Sequence, residues 1–184
     1  CISDTKGSHS DLTDDYVAIP YEMKQIAQFF GKSVLREVDE AEFYRCIPQI
    51  RENISDRAVL RSAHFFAETK RAEAEAKSLE NNDFNEFLKL VNQSGKSSYQ
   101  LLQNAYSCKN PAGQGIPLGI MISERILDSK GAVRVHGGGF AGTVQAFVPN
   151  SLINDYSNEI NRIFGENSCH IMHIRPYGGL CIII

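Results

Sequence analysis

The residues in this chain most specialised for chemistry are His136-Gly137-Gly138-Gly139-Phe140-Ala141-Gly142-Thr143, with four glycines in six positions. An apolar stretch from Ala132 leads into them and another, Thr143 to Val148, leads away. Each glycine costs about 0.5–1 kcal/mol of extra backbone entropy relative to alanine, so a cluster of them answers a need for bare backbone. That need is either a positive φ at a tight turn, or an approach by a ligand or another backbone too close for a Cβ. Gly137, Gly139 and Gly142 satisfy G-x-G-x-x-G, which cradles the phosphates of dinucleotides when a helix opens directly after the loop and an acidic residue follows about 20 positions on. Here the segment after the loop is β-branched and apolar and stops at Pro149. The nucleotide loop that ends Gly-Lys-Ser/Thr is excluded as well, because Ala141-Gly142-Thr143 offers no lysine. The spacing describes a strand, a glycine lip and a second strand. Two readings of the lip stand: a wide hairpin turn, or a surface that a phosphate or another backbone meets.

Other candidate ligands are few. Cys1, Cys46, Cys108, Cys169 and Cys181 are odd in number and include no C-x-x-C pair, against both a disulfide framework and a zinc knuckle. Reduced thiols are expected. Cys169, His170 and His173 are close in sequence, but strand residues three apart point to opposite faces, so no metal site is expected there. A net charge of -3 with scattered Lys and Arg leaves no basic stripe for nucleic acid. No apolar run reaches the length of a membrane span, and Cys1-Ile2-Ser3-Asp4-Thr5-Lys6 lacks the regions of a signal peptide, so no membrane partner and a cytoplasmic location are expected. The 184 residues suit one domain able to bury on the order of 70% of its unfolded surface. The chain begins inside what reads as a strand and without Met, and is therefore expected to be a piece of a longer protein.

The elements that must position the lip follow from caps and periodicity. Ile2 to Thr5 reads as a strand, and Thr13 as the N-cap of a helix to Phe30, with Asp14 and Asp15 in its first turn and Gly31 as its stop. Tyr16, Ile19, Met23, Ile26, Ala27 and Phe30 form its apolar stripe, and Pro20 is expected to kink the helix or mark its true start. Asp39 with Glu42 signals a capping box, and Pro48 begins another helical turn. Ser55 caps a long helix to about Leu79, and Asp83 one through Val91, with helix continuing over Ser94 to Tyr106. Asn110-Pro111 and its glycines punctuate a loop, and a helix from Ile116 to about Lys130 is ended by Gly131. After the lip, Asn150 caps a helix stopped by Gly165. Ser168 to Ile174 reads as a strand, Pro176 to Gly179 as a turn and Leu180 to Ile184 as a last strand. This order predicts an α+β domain: an antiparallel sheet with helices on one face, a ferredoxin-like plan with a helical insertion.

Arg134-Val135-His136-Gly137-Gly138-Gly139-Phe140-Ala141-Gly142-Thr143 resembles a signature of galactokinases, Arg-Met-Thr-Gly-Gly-Gly-Phe-Gly-Gly-Cys, within the GHMP class of small-molecule kinases. Ser3-Asp4-Thr5, His9, Leu12 and Tyr16 resemble the family's Asp-Thr-Asn, His, Leu and Tyr series. Arg61, His64, Glu68 and Arg71 resemble its Arg-x-x-His helix, and Gly178-Gly179 its closing turn. Two positions depart from the pattern: the Arg-Arg pair after the tyrosine is Ile19-Pro20 or nearby here, and Ser-His is Ser94-Gly95. The resemblance covers the C-terminal half of a galactokinase and implies the GHMP C-terminal fold.

It also implies a sugar kinase that uses ATP and Mg²⁺, with galactose as the sugar, Tyr16 as the sugar-contacting residue, and His64 as structural. The lip of Gly137, Gly138, Gly139, Phe140 and Gly142 would face the nucleotide loop. In such a kinase that loop and the catalytic aspartate belong to an N-terminal domain, so this chain alone is expected to be inactive, to bind no cofactor by itself, and to self-associate through the face that domain would cover. The other reading, a non-catalytic ferredoxin-like module for a metabolite or a partner chain, rests on the lack of an acid-base or nucleophile constellation. A glycine- and serine-rich phosphate loop upstream of Cys1 would decide between them.

Overall fold

Among the described residues, the glycine loop joins two strands of a four-stranded antiparallel sheet whose order in space is not its order in sequence. In the computed structural model, which describes residues 1–7, 12–175 and 178, the strands are β1 (Ile2–Asp4), β2 (Ala132–Val135), β3 (Thr143–Phe147) and β4 (Cys169–His170), arranged β2-β3-β1-β4. Ser3 stands opposite Val144 and Cys169, and Arg134 opposite Gln145. The helices are α1 (Thr13–Phe29), α2 (Glu40–Arg45), α3 (Ile47–Asn53), α4 (Asp56–Glu80), α5 (Phe84–Ser97), α6 (Gly115–Leu127) and α7 (Ile153–Phe164). With α6 taken as the first crossover helix and α7 as the second, the plan is ferredoxin-like α+β, and α1 to α5 form the insertion between β1 and α6.

Two cores result. The period of two along the strands points Val133, Val135, Val144 and Ala146 to one face, where they meet Ile116, Ile122 and Leu127 of α6 and Tyr156 and Ile160 of α7. The Tyr156 hydroxyl is buried between Ser3 Oγ at 3.0 Å and Ser123 Oγ at 2.8 Å, tying β1, α6 and α7 together. On the other face Asp4, Thr143, Gln145 and Arg134 are half-buried. The insertion has its own core of Ile26, Ala27, Leu35, Phe43, Ile50, Val59 and Phe66.

The outer edge of β2 is closed by α5. Asn92 presents its side-chain amide as a strand residue would: Val133 N donates to its Oδ1 at 3.0 Å, and its Nδ2 donates to Gly131 O at 3.2 Å. Gly95 makes this approach possible, since a Cβ there would lie 2.8 Å from Val133 O. The histidine of the family pattern at this position is therefore incompatible with the observed packing.

Capping at Asp39, Ser55 and Asp83 is as expected: their side chains accept from the amides of Glu42, Ala58 and Glu86 at 2.8, 3.1 and 3.0 Å. Several boundaries differ. Thr13 is the first helical residue and Leu12 holds the cap position with no side-chain bond, because Leu12 is buried against Phe140 and Ala141 and packing sets the entry of α1. Helix α1 runs through Pro20, held by the buried Glu22, Ile26 and Ala27 beyond it. The helix after Asp83 ends in a wide turn, Ser98–Leu102, closed by an i+5 bond from Gln103 N to Ser98 O at 2.8 Å, so residues 104–106 leave the helix. Helix α6 stops at Leu127 through left-handed Asp128 and Ser129, while Gly131 serves close packing: a Cβ there would overlap Phe147 O. Asn150–Leu152 is a 3-10 turn ahead of α7. Strand β4 pairs over two residues, because 171–175 carry no ladder. The expectations for His9, the Pro176 to Gly179 turn and the strand Leu180 to Ile184 fall wholly or partly outside the described residues.

Candidate functional site: the glycine lip and its clamps

The lip uses its glycines in both of the ways bare backbone is used. Gly137, Gly139 and Gly142 have φ of +68, +81 and +109°, and Phe140 adopts +60° without being glycine. Phe140 tolerates that conformation because its ring is buried with Leu12 and Ala141 and meets Tyr16 edge to face at 5.3 Å. At Gly138 a Cβ would come within 2.7 Å of the Tyr16 ring, and at Gly139 it would overlap the Asn104 carbonyl oxygen. The neighbour that comes too close for a side chain is, at these two positions, the chain itself.

Three elements hold the loop. Tyr16 of α1 donates its hydroxyl to Gly139 O at 2.8 Å. Asn104, just past the wide turn, accepts from Phe140 N at 2.5 Å with its carbonyl and donates from Nδ2 to Gly138 O at 3.2 Å. Thr5 at the end of β1 donates both N and Oγ1 to Gly142 O, at 2.9 and 2.7 Å. Gly139 to Gly142 are buried, whereas Gly137 and Gly138 are exposed and present a Cβ-free backbone surface. Such a surface admits another backbone or a phosphate at van der Waals distance.

A cleft of about 520 Å³ opens beside the lip, lined among others by Thr5, Lys6, Ser107, Lys109, Asn110 and Phe140. Of the site residues singled out in the sequence, Phe140 lines this cleft, and Tyr16 and the glycines do not. Its far wall is pinned to the first turn of α1: Ser107 Oγ donates to Asp15 and Lys109 Nζ to Asp14, both at 2.6 Å. The Lys109 bond holds the Asp14 carboxyl below the usual range. Among the described residues, no group of His, Cys, Asp or Glu side chains is gathered to hold a metal ion, and no helix is long and apolar enough to cross a membrane.

The Arg-x-x-His set on α4 separates by direction. Glu68 pairs with Arg71, accepts from Ser94 and reaches Arg134 of β2 at 3.5 Å, tying the strand that feeds the lip to α4. His64 is buried with Nδ1 2.9 Å from Ser97 Oγ, and Arg61 turns toward α1. Burial holds the His64 imidazole below its ordinary value, opposed by Glu68 and assisted by Arg71 and Arg134. The unfolded chain titrates near 6.5, so below that pH it takes up a proton that the folded chain refuses. Stability from His64 is thus full above about 6.5, falls as the pH drops toward the depressed folded value and is constant below it. Urea denaturation at pH 7.5 and 5.5 is expected to show wild type losing more stability than His64→Gln over that interval. Equal losses would refute the assignment.

Asn104, Ser107 and Lys109 were missed by sequence reasoning. Their only local signal is the loop punctuation at Asn110-Pro111, which marks a loop but not what the loop touches.

No family model matches the chain. It is 24% identical over 159 residues to the galactokinase of Haemophilus influenzae Rd, covering 86% of this chain and 38% of that protein. The same figures hold for the galactokinase of Glaesserella parasuis serovar 5. The crystal structure of Lactococcus lactis galactokinase complexed with galactose superposes with a TM-score of 0.66 at 18% identity, covering 90% of this chain and 41% of that one. The resemblance to galactokinases is borne out by sequence in the first comparisons and by fold in the last. The chain spans about two fifths of the length of the relatives it matches.

Proposed function

We propose that this chain is the C-terminal part of a galactokinase-like sugar kinase, which transfers a phosphoryl group from ATP to a sugar hydroxyl, with galactose as the sugar. The observation that carries the reading is the lip: Gly137 and Gly138 are exposed and free of side chains, yet the loop that carries them is held by Asn104 at Gly138 O and by Tyr16 at Gly139 O. Catalysis of phosphoryl transfer is mostly positioning and electrostatic stabilisation, and a bare backbone surface fixed from three sides suits the positioning half. It fits a phosphate-bearing loop or nucleotide as neighbour. We assign magnesium no residue of this chain. Bound ATP would supply the transferred phosphoryl group, while the lip would orient it and Tyr16 would stand at the sugar side.

The relatives' extra length supports a division of labour in which nucleotide binding and the catalytic base lie elsewhere in the longer protein. Calorimetric titration of this chain alone with Mg-ATP is expected to give no isotherm, and micromolar binding would overturn that division. In the longer protein, ATP-dependent phosphorylation of galactose is the expected activity. There Tyr16→Phe, which also removes the hydroxyl that holds Gly139 O, is expected to raise KM for the sugar about tenfold, the equivalent of roughly one hydrogen bond. Absence of phosphotransfer to any hexose would leave the binding-module reading in its place.

A further inference from the structure

Arg61 is 2% exposed and is the largest fully buried side chain among the described residues. Its Nη1 donates to Glu22 Oε2 at 2.9 Å and its Nε to Leu102 O at 3.1 Å. The other oxygen of Glu22 is taken by Arg57, from Nε at 2.9 Å and Nη2 at 2.5 Å. Leu102 closes the wide turn after α5, where the last carbonyls have no helical donor. Gln103 follows in a left-handed conformation, φ 58°, and delivers Asn104 to the lip. Glu22 lies on α1 less than two turns beyond Tyr16, which delivers the second clamp. One guanidinium therefore ties together the two segments that grip Gly138, Gly139 and Phe140 from different parts of the sequence. The planar fork of arginine serves two acceptors in fixed directions at once, which a lysine ammonium does not reproduce.

We propose that Arg61 is the positioning residue of the glycine lip, setting through Glu22 and Leu102 the distance between Tyr16 and Asn104. Arg57 provides the internal control, since it shares Glu22 but does not reach Leu102. The effect on lip geometry stands independently of what the protein does, and the effect on turnover rests on the kinase reading above.

The test is amide hydrogen exchange and chemical shift in this chain for Arg61→Lys, Glu22→Gln and Arg57→Gln. Arg61→Lys is expected to speed exchange of the Phe140 amide at least tenfold and to shift Gly138 and Gly139, with the amides of β3 and α7 unmoved. Glu22→Gln is expected to do the same to a lesser degree, and it decides the matter if Arg61→Lys does not fold. Arg57→Gln is expected to leave the lip amides as they are. Unmoved lip amides in the folded Arg61 or Glu22 variants, or an equal response in Arg57→Gln, would overturn the proposal. In the longer protein the Arg61→Lys change is expected to lower kcat more than it raises KM. A displaced lip with unchanged turnover would uphold the positioning role and refute the kinase reading of the lip.

Discussion

Gly139→Ala is expected to lower the unfolding temperature of this chain by about 10 °C, while Gly137→Ala, two residues earlier in the same loop, lowers it by only a few degrees. Both glycines have positive φ, +81 and +68°, so each alanine carries the same kind of backbone strain, about 1–2 kcal/mol. They differ in surroundings. Nothing lies within 4 Å of a Cβ at Gly137, whereas at Gly139 it would overlap Asn104 O, the acceptor for Phe140 N. Displacing that carbonyl leaves a buried amide without its partner, a further 1–3 kcal/mol or so. At about 2–4 °C per kcal/mol for a chain of this length, the total reaches the expected shift. Thermal unfolding followed by far-UV circular dichroism reads both variants, and equal shifts would show that φ alone governs the lip.

The second large effect lies far from the lip. Phe43 is fully buried in the core of the insertion, with ring contacts to Phe66 at 5.2 Å and Tyr44 at 5.2 Å. Phe43→Ala removes that packing and leaves a cavity, a cost of about 3–5 kcal/mol. The insertion core shares no buried residue with the sheet core, so the loss is expected to fall unevenly. Exchange protection should drop in α1 through α4 and persist in β2, β3 and α7. The lip then loses Tyr16, which rides on α1, while its strands stay paired. A uniform loss of protection across both cores would show instead that the insertion and the sheet unfold as one unit.

Local chemistry determined much of this protein in advance. Caps at Asp39, Ser55 and Asp83, stops at Gly31 and Gly165 and the alternation through β2 and β3 are short-range effects, written in residues within one turn or one strand of where they act. The α+β plan followed from their order, and the triple-glycine stretch named the specialised loop and the galactokinase resemblance. The boundaries that moved did so where packing outweighed a local signal. Leu12 was taken into a cluster with Phe140, Gly131 was needed against Phe147 O, and the helix after Asp83 opened into a wide turn capped by Arg61. Why the loop needs so much bare backbone was beyond the sequence, because the answer is Asn104, some 35 residues upstream, and Tyr16, over 120 residues upstream. No spacing rule connects positions so far apart. Only the folding of α1, the wide turn and β1 around one loop brings their carbonyls, amides and rings within bonding distance.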